Sequence, residues 1–341
     1  MPPAASAPRL DRLRHWFAAR HGLALEACDP TLAAGDASFR RYYRAGLPGG
    51  ETRILMDAPP AQEDSRPFVA IAEAWEAAGL PVPHLYGVDL EAGFLELQDL
   101  GDTPLSACFD DEASTLAWHR RALALLHRLQ AAAPTEGLPA YDAALLGREL
   151  DLFPDWCLSW LGLPTPPSWP ALRAALIDSA LAQPRVAVHR DFDAMNLMVQ
   201  GETLTLIDFQ DAVAGPPSYD LISLLRGRYQ RFDAATFAAF VDDFRERAQA
   251  EGRLPADLDA ATWRHQVDAM AAQRALKVLG IFCRLTHRDH KAGYLARLPH
   301  FLDHLRDSLT ELPAHDDFSA WLEGDFAPSL TAALAREELD R

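Results

Sequence analysis

Three side chains in the middle of the chain combine the residue types and the spacing that one kind of chemistry requires. Asp191 follows a short apolar strand, Asn196 lies five residues further on, and Asp208 ends the second arm of a predicted hairpin. A tight loop and a short hairpin can bring these three oxygen-bearing groups together. Phosphoryl transfer uses such a set, because one carboxylate orients an attacking hydroxyl while an amide and a second carboxylate hold Mg²⁺ on nucleotide phosphates.

The pattern around these residues is more informative than any one of them. A single aspartate or asparagine at these positions would be an ordinary turn or strand-end residue. His189, Asp191 and Asn196 together form H-x-D-x-x-x-x-N, and an apolar hairpin then leads to the I-D-F triplet at 207–209. This order is typical of the catalytic loop and the metal-binding aspartate of kinases. The sequence therefore predicts an enzyme of phosphoryl transfer.

The segments before this pattern predict a small β-rich unit. A glycine- and proline-containing turn at 46–50 joins two strands into a hairpin, and a Pro-Pro pair ends the second strand. A helix closed by Gly79 follows, and two more short strands come after it. The predicted elements are a helix over 11–20, strands over 40–45 and 52–57, a helix over 65–78, and strands over 84–88 and 93–97.

At residues 98–102 the periodicity changes from short strands to long helices, which places a domain boundary there. We expect a nucleotide-binding lobe at 1–98 and a catalytic and substrate lobe at 99–341, an α+β fold of the kind that clamps a ligand between lobes. The second lobe is predicted to hold helices over 112–132, 141–161 and up to 182, short strands over 187–188, 197–199 and 204–207, and helices from 219 onward.

Composition excludes several other classes of function. The 341 residues carry 32 basic and 49 acidic side chains, so the net charge is 32 − 49 = −17, which disfavours nucleic acid and anionic membranes as partners. The four cysteines never form a C-x-x-C pair, so neither a disulfide framework nor a zinc site is predicted. No apolar run is long enough for a membrane span. We expect a soluble cytoplasmic protein.

The whole pattern resembles the aminoglycoside phosphotransferase and choline kinase-like superfamily, which shares the protein-kinase fold. The resemblance implies that Asp191 is the catalytic base and that Asn196 and Asp208 are the Mg²⁺ ligands. It also implies that His189 braces the catalytic loop and that Asp220, at the start of a helix, holds this loop from beneath. For Asp220 a plain helix-capping role involves nearly the same physics, so the role is structural.

A narrower resemblance rests on five separated blocks, at 35–44, 55–60, 97–102, 207–212 and 276–282. Together these blocks are similar to the anomeric sugar kinases of bacterial cell-wall recycling. The resemblance implies ATP-dependent phosphorylation of N-acetylmuramate and N-acetylglucosamine at the anomeric hydroxyl, with ATP and Mg²⁺ as cofactors. We expect a monomer, although the sequence does not fix the oligomeric state.

The small lobe departs from the protein-kinase pattern because it contains no lysine. Lys277 and Lys291 are the only lysines in the chain, whereas a protein kinase uses a strand lysine and a glycine-rich loop to reach the phosphates. A turn at 35–39 with one glycine would cover the nucleotide here, through backbone amides and the Ser38 hydroxyl. An ordinary hairpin turn is the alternative interpretation.

A cation that reaches the phosphates from this lobe must be an arginine. Arg44 is the first candidate and Arg41 the second, and solvated surface arginines remain an alternative. The full set of predicted nucleotide-binding residues consists of Ser38, Phe39, Arg44, Glu96 and Gln98.

Sugar specificity is expected to come from the helical lobe. Asp193 in the catalytic loop is a candidate acceptor for a sugar hydroxyl, and Glu149 and Trp156 share a helix face that suits a sugar ring. A loop cap and core packing are the alternatives. Arg274, Lys277 and Arg284 fall on one helix and are candidates for holding the lactyl carboxylate of muramate, unless they form a solvated face.

Two rival functions remain open from the sequence. One is a kinase for another small hydroxylated acceptor, such as an aminoglycoside, choline or homoserine. The other is a nucleotide-binding pseudokinase that serves as a scaffold, which the missing lysine would permit. The catalytic aspartate and both metal-ligand candidates are present, and this favours an active enzyme.

Overall fold

A computed structural model describes residues 7–35 and 39–339. The contacts within it divide the chain into two compact units. The first comprises 1–111, 132–134 and 195–211, and the second comprises 112–131, 135–194 and 212–341. This division differs from a boundary at residue 98 chiefly in the segment 195–211, which joins the small unit.

The hairpin of 197–206 belongs to the small unit because its backbone bonds to that unit. The amide of Leu206 donates to the carbonyl of Pro81 over 2.8 Å, and the amide of Val199 donates to the carbonyl of Thr103 over 2.8 Å. Backbone hydrogen-bonding groups that leave water must find such partners. Its strands are β7 (Leu197–Gln200) and β8 (Thr203–Leu206), which pair antiparallel.

A five-stranded antiparallel sheet forms the rest of the small unit's β-structure, in the strand order β1-β2-β3-β5-β4. The four strands predicted from the sequence are confirmed, whereas β1 was not predicted, because its residues are mostly small and carry no alternating apolar pattern. The strands are β1 (Thr31–Gly35), β2 (Arg41–Gly46), β3 (Thr52–Asp57), β4 (Leu85–Asp89) and β5 (Phe94–Gln98).

Two helices bury apolar side chains within the small unit. In α1 (Ala7–His21), Leu13 and Phe17 are fully buried in a cluster with Leu55 and Phe94 of the sheet. Helix α2 (Arg66–Ala77) buries its own aromatic side chains, which contact Phe209 directly after the hairpin. The aromatic contacts fix the end of the segment that carries Asp208.

The second unit is mainly helical and contains one small antiparallel sheet, β6 (Val186–Val188) with β9 (Val213–Gly215). Its long central helix, α9, is buried along most of its length. The helices are α3 (Glu112–Ala132), α4 (Ala143–Leu152), α5 (Ser159–Leu161), α6 (Trp169–Leu181), α7 (Ser218–Leu225), α8 (Ala234–Ala250), α9 (Ala260–His287), α10 (Leu298–Thr310), α11 (Asp316–Trp321) and α12 (Ala327–Leu339).

The stretch predicted as a helix over 141–161 is interrupted by a π-helical turn at Phe153–Leu158, which links α4 to α5. Pro154 explains the change of hydrogen-bond pattern, because proline has no amide hydrogen and its ring clashes with the carbonyl four residues earlier. The turn redirects Phe153 into the core, where it is fully buried, and leaves Trp156 half-buried against the same core.

Helices α4 and α9 approach each other closely at Gly280. A methyl group on this residue would lie 2.3 Å from the backbone carbonyl of Leu152, far inside van der Waals contact. Leu152 lies one turn beyond Glu149, and Gly280 lies one turn beyond Lys277. The spacing of the two backbones therefore also sets the spacing of that acid and that base.

We expect Gly280→Ala to lower the free energy of unfolding by about 1–3 kcal/mol, because the added methyl must push the helices apart. Urea unfolding followed by circular dichroism measures the change. Gly324→Ala is the matched control, since nothing lies within 4 Å of its added methyl and its φ is not positive. Equal midpoints for the two variants would contradict the close approach.

Candidate active site

The segment that carries Asp191 begins where β6 ends, and a buried carboxylate holds its backbone. Asp220, in the first turn of α7, accepts hydrogen bonds from the amides of His189 (2.7 Å) and Arg190 (3.1 Å). Burial raises the pKa of Asp220 to about 7, although the two amide bonds act in the opposite direction. Asp220 and His189 are both fully buried. These hydrogen bonds hold the backbone at His189 and Arg190, and the bracing role of the His189 side chain stays a prediction.

Arg190 has a left-handed backbone with φ of 70°, which is uncommon for a residue with a side chain. Such a conformation costs on the order of 1–3 kcal/mol and persists only where surrounding contacts hold it. The Arg190 amide is held by Asp220, and its guanidinium donates to Glu149 over 2.6 Å. The next turn is closed by the amide of Asp193, which donates to the carbonyl of Asp191 over 2.8 Å.

The carboxylate of Glu149 lies at the centre of a buried polar cluster. Lys277 donates to it over 2.8 Å, and the hydroxyl of Tyr141 also donates to it. Burial opposes ionisation, yet Lys277 and Arg190 together lower the pKa of Glu149 to about 2. The same ammonium group donates to the hydroxyl of Tyr219 over 2.7 Å. The cluster therefore joins α4, α7, α9 and the catalytic loop.

This cluster changes the interpretation of two predicted sugar ligands. Glu149 and Lys277 are both more than nine-tenths buried and satisfy each other. A contact from either residue to a sugar would have to compete with this ion pair, because an unpaired buried charge is costly. Sequence reasoning did not find the pair, since its members lie 128 residues apart.

The other two cations predicted for the carboxylate site, Arg274 and Arg284, have different neighbours from Lys277. Arg274 is buried, and its charge lowers the pKa of Asp220 against the larger effect of burial. Arg284 is half-buried, and burial together with Arg288 lowers its pKa. The three cations predicted as one carboxylate site thus stand in three separate environments.

Asp193 is 1% exposed, and its Oδ2 accepts a hydrogen bond from Nε of Arg228 over 3.2 Å. If Asp193 also binds the sugar, it needs Arg228 as its counter-charge, because an unpaired buried charge is costly. Arg228 was not among the sequence candidates, because it follows Asp193 by 35 residues and lies beyond the next helix.

In the small unit, Asn196 and Asp208 flank the hairpin of β7 and β8. The amide of Ile207 donates to the Asn196 carbonyl over 3.0 Å, which fixes the two ends of the hairpin together. Asp208 has a left-handed backbone with φ of 65°, and its Oδ1 accepts from Gln210 over 2.9 Å. Its side chain is about one-third exposed, so the carboxylate can reach a ligand.

The donor set of this hairpin fits Mg²⁺ by its chemistry. An amide and a carboxylate supply oxygen, and Mg²⁺ is usually bound through one or two carboxylates with substrate phosphates and water completing its shell. Within residues 7–35 and 39–339, no group of three His, Cys, Asp or Glu side chains could hold a metal ion.

Within the small unit, the guanidinium of Arg40 lies close to the carboxylate of Asp208. Its Nη1 lies 3.9 Å from Oδ1 of Asp208, and its Nε lies 3.7 Å from Oε2 of Glu63. The sequence candidates were Arg44 and Arg41, and Arg40, the first residue of the strand predicted over 40–45, was not among them. Phe39 is 55% exposed and its amide donates to Glu63 over 3.1 Å, whereas Ser38 lies outside the described residues.

The remaining nucleotide-site candidates have partners within the small unit. The Arg44 guanidinium donates to Asp99 (2.6 and 3.0 Å) and to Asp102 (3.0 and 2.8 Å). Glu96 is fully buried and is paired with neighbouring basic residues, among them Arg20 at 3.0 Å. Gln98 accepts from the amide of His84 through its side chain. A phosphate contact by Arg44 would have to compete with two carboxylates.

Comparison with known proteins decides the family. The profile of a family described as the phosphotransferase enzyme family matches residues 29–256, more than half of the chain. The chain belongs to this phosphotransferase family. The membership agrees with the superfamily to which the sequence was expected to belong, and it identifies the protein as an enzyme of phosphate transfer.

Two curated relatives of this phosphotransferase are named N-acetylmuramate/N-acetylglucosamine kinase. The one from Pseudomonas putida is 42% identical over 290 residues, which cover 83% of this chain and 84% of the relative. The one from Pseudomonas aeruginosa is 40% identical over 287 residues, with 82% and 84% covered.

Solved structures confirm the fold class. A choline/ethanolamine kinase family protein from Mesorhizobium loti is 18% identical and matches with a TM-score of 0.60, covering 95% of this phosphotransferase and 98% of that chain. The expected protein-kinase-like α+β fold, with a small β-rich part and a larger helical part, is therefore correct. Among the described residues, no helix combines the length and apolar character needed to cross a membrane.

The buried Lys277–Glu149 pair generates a prediction about stability. We expect Lys277→Met to lower the free energy of unfolding by about 3–5 kcal/mol, because it leaves a buried carboxylate short of a counter-charge. The double variant Lys277→Met/Glu149→Gln should lose less than the sum of the two single variants.

Urea unfolding of the wild type, the two single variants and the double variant measures this coupling. Lys291→Met, which changes the other lysine of the chain, is the matched control and should change stability by less than about 0.5 kcal/mol. Strictly additive effects of the two substitutions would show that the pair does not carry the stability of the cluster.

Proposed function

We propose that this phosphotransferase is an ATP-dependent kinase that phosphorylates the anomeric hydroxyl of N-acetylmuramate and N-acetylglucosamine. The observation that carries the proposal is the 40–42% identity to kinases named for these two sugars, over more than four-fifths of both chains. The activity belongs to peptidoglycan recycling. We assign it to the cytoplasm and to a monomer, because both sugars would meet ATP there and each chain has a full set of candidate residues.

Asp191 is proposed as the base that orients the anomeric hydroxyl. Its carboxylate would accept the hydroxyl proton while the sugar oxygen bonds to the γ-phosphorus and the bond to the ADP oxygen breaks. The anomeric hydroxyl is more acidic than an ordinary alcohol, so orientation is the larger part of this task. The support for the assignment is the rigid loop around Asp191, held by Asp220 and by the Arg190–Glu149 contact.

Asn196 and Asp208 are proposed to bind Mg²⁺. The ion, when bound, would neutralise charge on the nucleotide phosphates. Arg40, near Asp208, is proposed as the small unit's phosphate-facing cation in place of a kinase lysine, because Arg44 already donates to two carboxylates. Ser38, which lies outside the described residues, and Phe39 remain proposed nucleotide contacts.

Removing the proposed base gives a direct test. We expect Asp191→Asn to lower kcat by about 10²–10⁴ with little change in KM for either sugar, since the amide keeps the shape of the side chain but accepts no proton. Release of ADP with each sugar measures the rate. Asp178→Asn, an exposed aspartate of α6, is the control. Wild-type turnover by Asp191→Asn would overturn the assignment.

The metal assignment has its own test. We expect Asp208→Ala to abolish Mg²⁺-dependent turnover at any metal concentration, because it removes the carboxylate of the proposed pair. The rate of ADP release across a Mg²⁺ titration measures the effect, with Asp178→Asn again as the control. Full activity of Asp208→Ala at ordinary Mg²⁺ levels would contradict the assignment.

The identity of the product separates this function from its rivals. Phosphate at the anomeric oxygen blocks ring opening, so the product should no longer react as a reducing sugar. ATP consumption with choline or an aminoglycoside, but with neither sugar, would favour a kinase of another acceptor. Nucleotide binding without consumption of ATP on any acceptor would favour a scaffold.

A further inference from the structure

Arg228 is linked to the proposed base through two short contacts within the helical unit. It lies three residues beyond the last residue of α7, and its Nε donates to Oδ2 of Asp193 over 3.2 Å. The amide of Asp193 in turn donates to the carbonyl of Asp191 over 2.8 Å. The guanidinium is therefore anchored to the turn that carries the proposed base.

The anchored guanidinium still has hydrogen-bonding capacity. It has five N–H donors, and Nε supplies its hydrogen bond to Asp193. Within the described residues, neither of its terminal nitrogens forms a hydrogen bond with the protein. Neither nitrogen is a buried polar atom that lacks a partner. The side chain is 24% exposed. The terminal fork is thus accessible to a ligand.

Two other cations of the helical unit, Lys277 and Arg190, are engaged with partners inside the protein. Lys277 donates to Glu149 and Tyr219, and Arg190 donates to Glu149. Arg228 differs because its one anchoring bond uses Nε, and among the described residues its two terminal nitrogens form no hydrogen bond. A guanidinium fork held in this way matches the two oxygens of a carboxylate.

We propose that Arg228 binds the lactyl carboxylate of N-acetylmuramate and so determines how well the enzyme uses the acidic sugar. The inference rests on the proposed function. N-acetylglucosamine lacks the lactyl group and would not need this contact. In N-acetylmuramate the lactyl group is attached to C3 of the sugar ring. The reacting hydroxyl is on C1, and the carbon that bears the N-acetyl group lies between them. Arg228 also offsets the charges of Asp191 and Asp193, which would otherwise repel an anionic substrate.

The experiment compares Arg228→Gln with the wild type on three acceptors: N-acetylmuramate, its neutral carboxamide, and N-acetylglucosamine. We expect kcat/KM for N-acetylmuramate to fall about 10–100-fold more than kcat/KM for N-acetylglucosamine, the effect of losing a hydrogen bond to a charged group. The wild type should prefer the acid to its carboxamide, and the variant should use both equally.

Comparing acceptors within each variant keeps the result independent of how much protein is folded. Arg228→Lys keeps a positive charge beside Asp193 and should recover part of the preference for the acid. Arg231→Gln changes a nearby exposed arginine that is paired with Asp307, and it should leave the ratio between acceptors unchanged.

The outcomes separate the two proposals. An equal loss on all three acceptors would overturn the carboxylate role and make Arg228 only a partner of Asp193. A wild type that phosphorylates N-acetylglucosamine but does not distinguish the acid from its carboxamide would also overturn it, while leaving the kinase activity intact. A wild type inactive on every sugar would overturn the proposed function itself, and the carboxylate role with it.

Discussion

A buried negative charge imposes the main constraint on the helical unit. The carboxylate of Glu149 is shielded from water, so it stays ionised only because Lys277 and Arg190 are held against it. Each partner comes from a different part of the chain. Satisfying this one group therefore requires α4, α9 and the catalytic loop to adopt a single arrangement, and a small shift of any of them leaves a charge unpaired.

The catalytic loop receives a second constraint through its backbone. Asp220 holds the amides of His189 and Arg190, while Glu149 holds the Arg190 side chain. Arg190 is thus fixed from both ends in a conformation that an unrestrained residue would leave. A rigid loop of this kind suits a reaction in which positioning and charge do most of the work, because the reacting groups need not be ordered during each turnover.

Local signals made most of the secondary structure predictable from the sequence, including the hairpin at 197–206 and the long helix α3. The strand β9 and the pairing of β6 with it were not predictable, because a three-residue strand has no periodicity of its own. The same limit applies to the site. The H-x-D-x-x-x-x-N spacing is local, whereas the Asp193–Arg228 contact depends on where the end of α7 lies in three dimensions.

The location of the two lysines also determines which chemical probes can report on this enzyme. Amine-directed acylating reagents commonly mark kinases through a lysine that touches the nucleotide phosphates. Here no lysine precedes residue 277, and the Lys277 ammonium group is buried and paired with Glu149. Profiling of cell extracts with such reagents would therefore miss nucleotide occupancy in this protein, and reagents that react with arginine or with carboxylates are the better choice.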